Sequence, residues 1–294
     1  MKYFEKHPMI MLVIGVLGVS CSSIFVKLST APSAVTAAFR LMWTVLLMSP
    51  VVWGKIEVRE ELLHVEKRSL LLSVFSGLFL AFHFVTWFES LQHTSVASAA
   101  TIGCTEVIWV AIGFCLFLKG KLSKKAIGII LFTSGGSMLI AYVDSSEGGI
   151  HLLGDALALA SAVFVAVYTL FGREVRKKVS TSVYTYVVYV VCGITLLIMC
   201  LLQGYQIFSY GSNVIIVGML LAVFSTILGH SIFSWCLKYF SPAFVSASKL
   251  CEPVIASIIA IFLFGELPTI MQIIGGAMII AGVYYYSQIE GEEK

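Results

Sequence analysis

Charge is what this sequence has least of. Only 12% of its 294 residues are Asp, Glu, Lys or Arg, while 59% are hydrophobic; a soluble domain carries about a quarter charged residues. So few charges cannot cover the surface that a water-soluble globule of this length leaves exposed, and so apolar a chain is not disordered. A net charge of +3 is too small to imply a nucleic-acid partner. None of the seven cysteines forms a C-x-x-C pair, which argues against both a disulfide framework and a zinc site. They read as small hydrophobes. HExxH, GxxxxGK[ST] and GxSxG are also absent, so no metal, nucleotide or other cofactor is expected and no enzyme class is indicated.

What is present is a series of long apolar runs, at 9–28, 33–53, 70–91, 95–118, 125–143, 152–171, 182–202, 212–236, 243–264 and 269–287. Crossing a bilayer core takes about 20 apolar residues as a helix. The runs lack the apolar/polar alternation of barrel strands, so the expected class is an all-α membrane protein of ten transmembrane helices. The first run is read as a retained helix rather than a cleaved signal. Gly18 stands where a lipoprotein-type site before Cys21 expects an aliphatic residue, and the run continues past the cysteine.

The 19 Lys and Arg are distributed unequally. All but Lys27, Arg40 and Lys249 fall at the termini or in one alternate set of loops, and the opposite loops hold Asp144, Glu147, Asp155 and Glu266 with no base. The positive-inside rule then predicts a multi-pass protein of the cell membrane with both termini cytoplasmic.

Sliding the chain on itself by 146 residues aligns Glu106 with Glu252, Lys27 with Arg173, Leu91 with Leu237 and Ser95 with Ser241. Further along, the seven-residue spacing of Gly128 and Gly135 recurs in Gly275 and Gly282. Two units follow, 9–143 and 152–287. Each has five helices, an odd number, so the second unit enters the bilayer from the opposite side. Inverted repeats around a midplane site are a signature of secondary transport. With no nucleotide motif, such transport would run on a gradient.

The residues also carry a family resemblance. Gly229-His230-Ser231, Trp235 to Pro242, Glu252-Pro253-Val254, Phe264 to Thr269 and Gly275-Gly276 with Gly282 resemble the EamA-type branch of the drug/metabolite transporter superfamily. So do Phe39-Arg40, His83 to Trp87, Ser90-Leu91 and Thr94 to Ala97 in the first half. The resemblance implies two EamA repeats around a central cavity, and export or exchange of small organic metabolites such as amino acids or drugs. The chain departs from it at Val107, where such repeats often carry proline, so the kink that Pro253 suggests in the ninth helix lacks its proline in the fourth. A channel, and a membrane-embedded enzyme using His83, Glu106 or His230, are the rival readings.

Charges inside a bilayer either face a wet cavity or pair. Glu106 and Glu252 fall mid-run, and Lys249 precedes Glu252 by three, on one helical face. One reading makes Lys249 a structural counter-ion of either glutamate. The other makes Lys249 a cation for a substrate carboxylate and a glutamate the carrier of protons as coupling ion. The position 146 residues before Lys249 is Gly103, so this charge breaks the repeat. His83 and His230 lie in nearly equivalent places and suit either a proton relay or a helix-packing hydrogen bond. His83 and Trp87, at i and i+4, present a face suited to a planar or cationic ligand, or to plain packing. Lys27, Arg40 and Glu89 are read as structural: the two bases snorkel to the headgroups, or Arg40 pairs with Glu89. Gly15, Gly18, Gly135, Gly136, Gly275, Gly276 and Gly282 are expected where helices approach closely.

Overall fold

The computed structural model of the chain describes residues 5–94, 99, 102–144, 152–252, 254, 255, 258 and 269–292. These residues form helices joined by short turns, with no strand among them. In chain order they are α1 (Pro8–Ser20), α2 (Ser22–Lys27), α3 (Ser33–Gly54), α4 (Ile56–Leu63), α5 (Lys67–His93), α6 (Glu106–Phe117) and α7 (Lys124–Asp144). Then come α8 (Leu152–Val175), α9 (Thr181–Leu202) and α10 (Gly211–Leu220), a π-helical stretch (Leu221–Ser231), α11 (Ile232–Cys236), α12 (Pro242–Lys249) and α13 (Ile270–Glu292).

Seven helical segments among the described residues are long and apolar enough to cross a membrane: Pro8–Val26, Ser33–Gly54, Lys67–Ser90, Leu152–Val175, Thr181–Leu202, Gly211–Cys236 and Ile270–Glu290. Each coincides with one of the ten expected runs. The run at 125–143 is helical as α7, and the described parts of 95–118 and 243–264 contribute α6 and α12. The Pro253 kink position and all of Phe264 to Pro268 lie outside the described residues. Large apolar side chains such as Leu116, Phe117, Leu202 and Ile270 are more than two-thirds exposed. In water such a surface would aggregate; against lipid it is the expected exterior.

Local chemistry explains three of the helix starts. Ser180 and Ser241 cap α9 and α12, their Oγ atoms accepting from the N–H groups of Val183 and Phe244. Pro8 and Pro242 occupy first-turn positions, where no N–H is needed. Inside the apolar helices, hydroxyls satisfy themselves on the carbonyl four residues back, as in Ser20 to Val16 at 2.7 Å and Thr44 to Arg40 at 2.8 Å.

Two large apolar cores result, beside a small cluster of Val110, Ala166 and Leu170, and each large core draws helices from both halves of the chain. One is built by α3, α5, α8, α9 and Val214 of α10. The other is built by α1, α6, α7, α11, α12 and α13. Close approach depends on glycine at several contacts, among them two against backbone at glycines singled out in the sequence. A Cβ at Gly18 would stand 2.7 Å from the Phe224 carbonyl oxygen of the π-helical stretch, and one at Gly136 would stand 2.7 Å from that of Gly275 on α13. By contrast Gly135 and Gly276, expected in the same role, face side-chain atoms no nearer than 3.7 Å.

Candidate functional site

Glu106 opens α6, and Glu252 directly follows a turn at the end of α12. Before Glu106 the backbone tightens, with Thr105 N–H bonding the Ile102 carbonyl at 3.0 Å. Before Glu252 the same i→i−3 pattern recurs, Leu250 to Ala247 at 3.1 Å and Cys251 to Ser248 at 3.2 Å. The first half thus breaks its helix at this place although Val107 is not proline. A backbone turn supplies the interruption there.

That turn sets the first residue of α6 against the last turn of α12. Lys249 Nζ donates to Glu106 Oε1 at 2.7 Å, and Ser246 Oγ donates to the same oxygen at 3.0 Å. Lys249 and Glu106 side chains retain only 13% and 15% exposure. The ammonium also lies 5.4 Å from the Phe233 ring centroid, within cation–π reach. Of the two partners expected for Lys249, the structure selects Glu106 across the helix interface. Glu252, half-buried one turn further along the chain, forms no ion pair among the described residues.

Trp87 packs on the turn before Glu106: its ring would lie 2.8 Å from a Cβ built at Gly103. A side chain at 103 would displace the indole, so the repeat counterpart of Lys249 is glycine for a steric reason. His83, one turn before Trp87, is instead tied to α8. Its Nδ1 stands 2.8 Å from Ser161 Oγ and 3.1 Å from the Ser161 carbonyl oxygen. His230 stands edge-on to Phe84 at 5.7 Å and to Tyr168 at 6.1 Å. Phe84 and Tyr168 belong to the first core, while Phe233, three residues after His230, belongs to the second and faces Lys249. The polar residues therefore gather where the two cores meet.

Arg40 does not snorkel and does not meet Glu89. It is 2% exposed, donates from Nε to Thr226 Oγ1 at 2.6 Å, and stacks over Phe84 at 4.5 Å. Glu89 lies toward the end of α5, 4.0 Å from His93. The side chain of Lys27 lies outside the described residues.

Sequence reasoning missed Ser246, Thr226, Phe84 and Ser161, and it missed the π-helical stretch. π turns are rare and cluster at functional sites. Thr226 Oγ1 bonds the Leu221 carbonyl at 3.3 Å and Ser231 Oγ the Thr226 carbonyl at 3.2 Å, five residues back in each case. Hydroxyls spaced at five within an apolar run were the available signal.

At the end of the bundle that holds the basic loops, the contacts are tight. Arg173 Nη1 donates to the carbonyl oxygens of Leu237 and Phe240, and Arg176 Nε to that of Ser234 at 3.1 Å. Burial pushes the Arg176 guanidinium below its usual pKa. Glu290 accepts from the N–H of Ser241 and from its Oγ at 2.7 Å, fastening α13 to the start of α12.

Comparison with known proteins agrees with this architecture. The model of the EamA-like transporter family matches the chain twice, over residues 7–142 and 152–288. The chain belongs to that family, as a multi-pass membrane transporter. It is 26% identical to the uncharacterized transporter YxxF of Bacillus subtilis over 74% of this chain and 70% of that one. It is 23% identical to an uncharacterized transporter of Archaeoglobus fulgidus over 83% of each. A solved crystal structure superposes with a TM-score of 0.81 at 14% identity, covering 98% of this chain and 99% of its own, a likeness of fold.

Proposed function

We propose that the protein is a secondary transporter that exports small organic metabolites, amino acids and related compounds or drugs, by alternating access. In this reading residues 9–143 and 152–287 are two inverted five-helix repeats making ten spans. Both termini lie on the cytoplasmic side of the cell membrane, as the basic loops indicate.

The observation that carries the reading is the Lys249–Glu106 pair. Opposite charges sit side by side, nearly buried, at a break between helices and where the two cores meet. Such a pair matches the two charges of a zwitterion, which can exchange with it ion for ion. His83, Trp87, His230 and Glu252 border the same region, and Glu106 or Glu252 carries the proton if coupling is to protons.

A thermal-shift screen of the purified protein against a metabolite library tests this reading, because a ligand that binds only the folded state raises stability as RT ln(1 + [L]/Kd). The expected result is a small set of stabilising zwitterionic or charged metabolites whose effect disappears in Lys249→Ala. An effect unchanged in that variant would contradict the site.

A further inference from the structure

We propose that Arg40 is the anion-binding group of the transport path, and that the transported molecule presents a carboxylate to it. The proposal rests on the transport reading and deepens it. It adds Arg40 to the Lys249–Glu106 pair as a second anchor for the substrate's negative end.

Lys249 already has a carboxylate at 2.7 Å. Arg40 has none: among the described residues no Asp or Glu comes within 4.0 Å of its guanidinium, although its side chain is among the most completely buried in the molecule. Its Nε is satisfied by Thr226, yet its Nη2 is buried with no hydrogen-bond partner. A second polar atom, Ser225 Oγ beside Thr226 on the π-helical stretch, is likewise buried and without a partner. A buried guanidinium with an unpaired N–H and no carboxylate within 4.0 Å, Glu252 acting on it only from farther away, is costly in a membrane protein and persists where function requires it.

The surroundings complete the description. The Phe84 ring supports the guanidinium plane, and His230 and Tyr168 stand edge-on around that ring or its neighbour. Tyr189 Oη lies 3.0 Å from Ser231 Oγ, holding the π-helical stretch against α9. All of these are uncharged or hydroxyl-bearing groups, and none supplies a carboxylate. The unpartnered Nη2 leaves a donor for an anion, and a carboxylate is the planar acceptor that a guanidinium suits best. The scaffold does not itself require the charge: the position 146 residues on is Tyr186, which serves Ser49 and Trp53 through its hydroxyl.

The test uses the full-length purified protein with acetate and benzoate as probes, and benzamide as the neutral isostere of benzoate, at constant ionic strength. The expected result is stabilisation of the wild type by the carboxylates and not by benzamide. The apparent Kd should rise at least tenfold in Arg40→Gln and less in Arg40→Lys. Sulfate and inorganic phosphate are run beside them; stabilisation by these alone would overturn the carboxylate assignment. No stabilisation of the wild type by either carboxylate, or the same affinity in folded Arg40→Gln, would overturn the proposal. If neither Arg40 variant folds, Lys249→Met decides it: a benzoate response kept in that variant supports Arg40, and one lost there overturns the proposal. Lost anion binding in Arg40→Gln alongside a Lys249-dependent metabolite effect separates the two sites. An unchanged anion response with no metabolite effect instead refutes both.

Discussion

Removing Lys249 leaves the Glu106 carboxylate, among the described residues, with Ser246 as its remaining hydrogen-bond donor, in a place where water is nearly excluded. Breaking a buried pair by deleting one partner costs about 3–5 kcal/mol, because the surviving charge keeps its desolvation penalty. Both side chains here retain a little exposure, which places the expected cost of Lys249→Met at the low end, about 3 kcal/mol. Glu106→Gln should cost somewhat less, since Gln keeps a carbonyl oxygen for Ser246. The double variant should recover much of the loss, with a coupling energy of about 2 kcal/mol. That corresponds to roughly a thirtyfold change in the folding equilibrium. Reversible unfolding in mixed micelles, monitored by tryptophan fluorescence, reads all four corners of the cycle. Additivity of the two single effects within about 0.5 kcal/mol would refute the pair as an energetic unit. So would equal rescue of Lys249→Met by Glu252→Gln, the partner that sequence spacing alone favours.

Other outcomes follow from the packing and the charge pattern. Gly136→Ala drives a methyl against the Gly275 carbonyl and Met278 Cβ and should destabilise by about 1–3 kcal/mol. Gly128→Ala, with nothing within 4 Å of the new atom, should be neutral or stabilising in the same unfolding assay. Cysteine at Gln206, in the exposed turn after α9, should react with a membrane-impermeant maleimide in intact cells, whereas Lys124→Cys should react only after permeabilisation; the reverse would invert the topology.

Much of the architecture was readable because bilayer helices must be long, apolar and bounded by charge. Pro8–Val26, Ser33–Gly54 and Thr181–Leu202 fall nearly where their apolar runs do. Glu106 and Lys249 were also legible as unusual, since a charge in a twenty-residue apolar run has few explanations. What spacing could not supply was the partner across the interface. The i,i+3 rule puts Lys249 beside Glu252, but it knows nothing of the turn at Thr105 that aims α6 toward α12 or of Ser246 adding a second donor. Arg40 finds Thr226 from 186 residues away, a contact that exists only because α3 packs on the π-helical stretch. That stretch is hidden in turn because its composition is as apolar as an α-helix, and only the five-residue reach of Thr226 and Ser231 betrays it.

The claim on which the account stands is that this chain moves a solute through the site where Lys249 meets Glu106. Counterflow in proteoliposomes measures it directly: vesicles are preloaded with a stabilising metabolite found by thermal shift, and uptake of the labelled compound is followed. The account predicts a transient, saturable overshoot in the wild type that Lys249→Ala abolishes while the protein remains inserted and folded. Linear uptake with no overshoot, or an overshoot of equal height in Lys249→Ala, would contradict it.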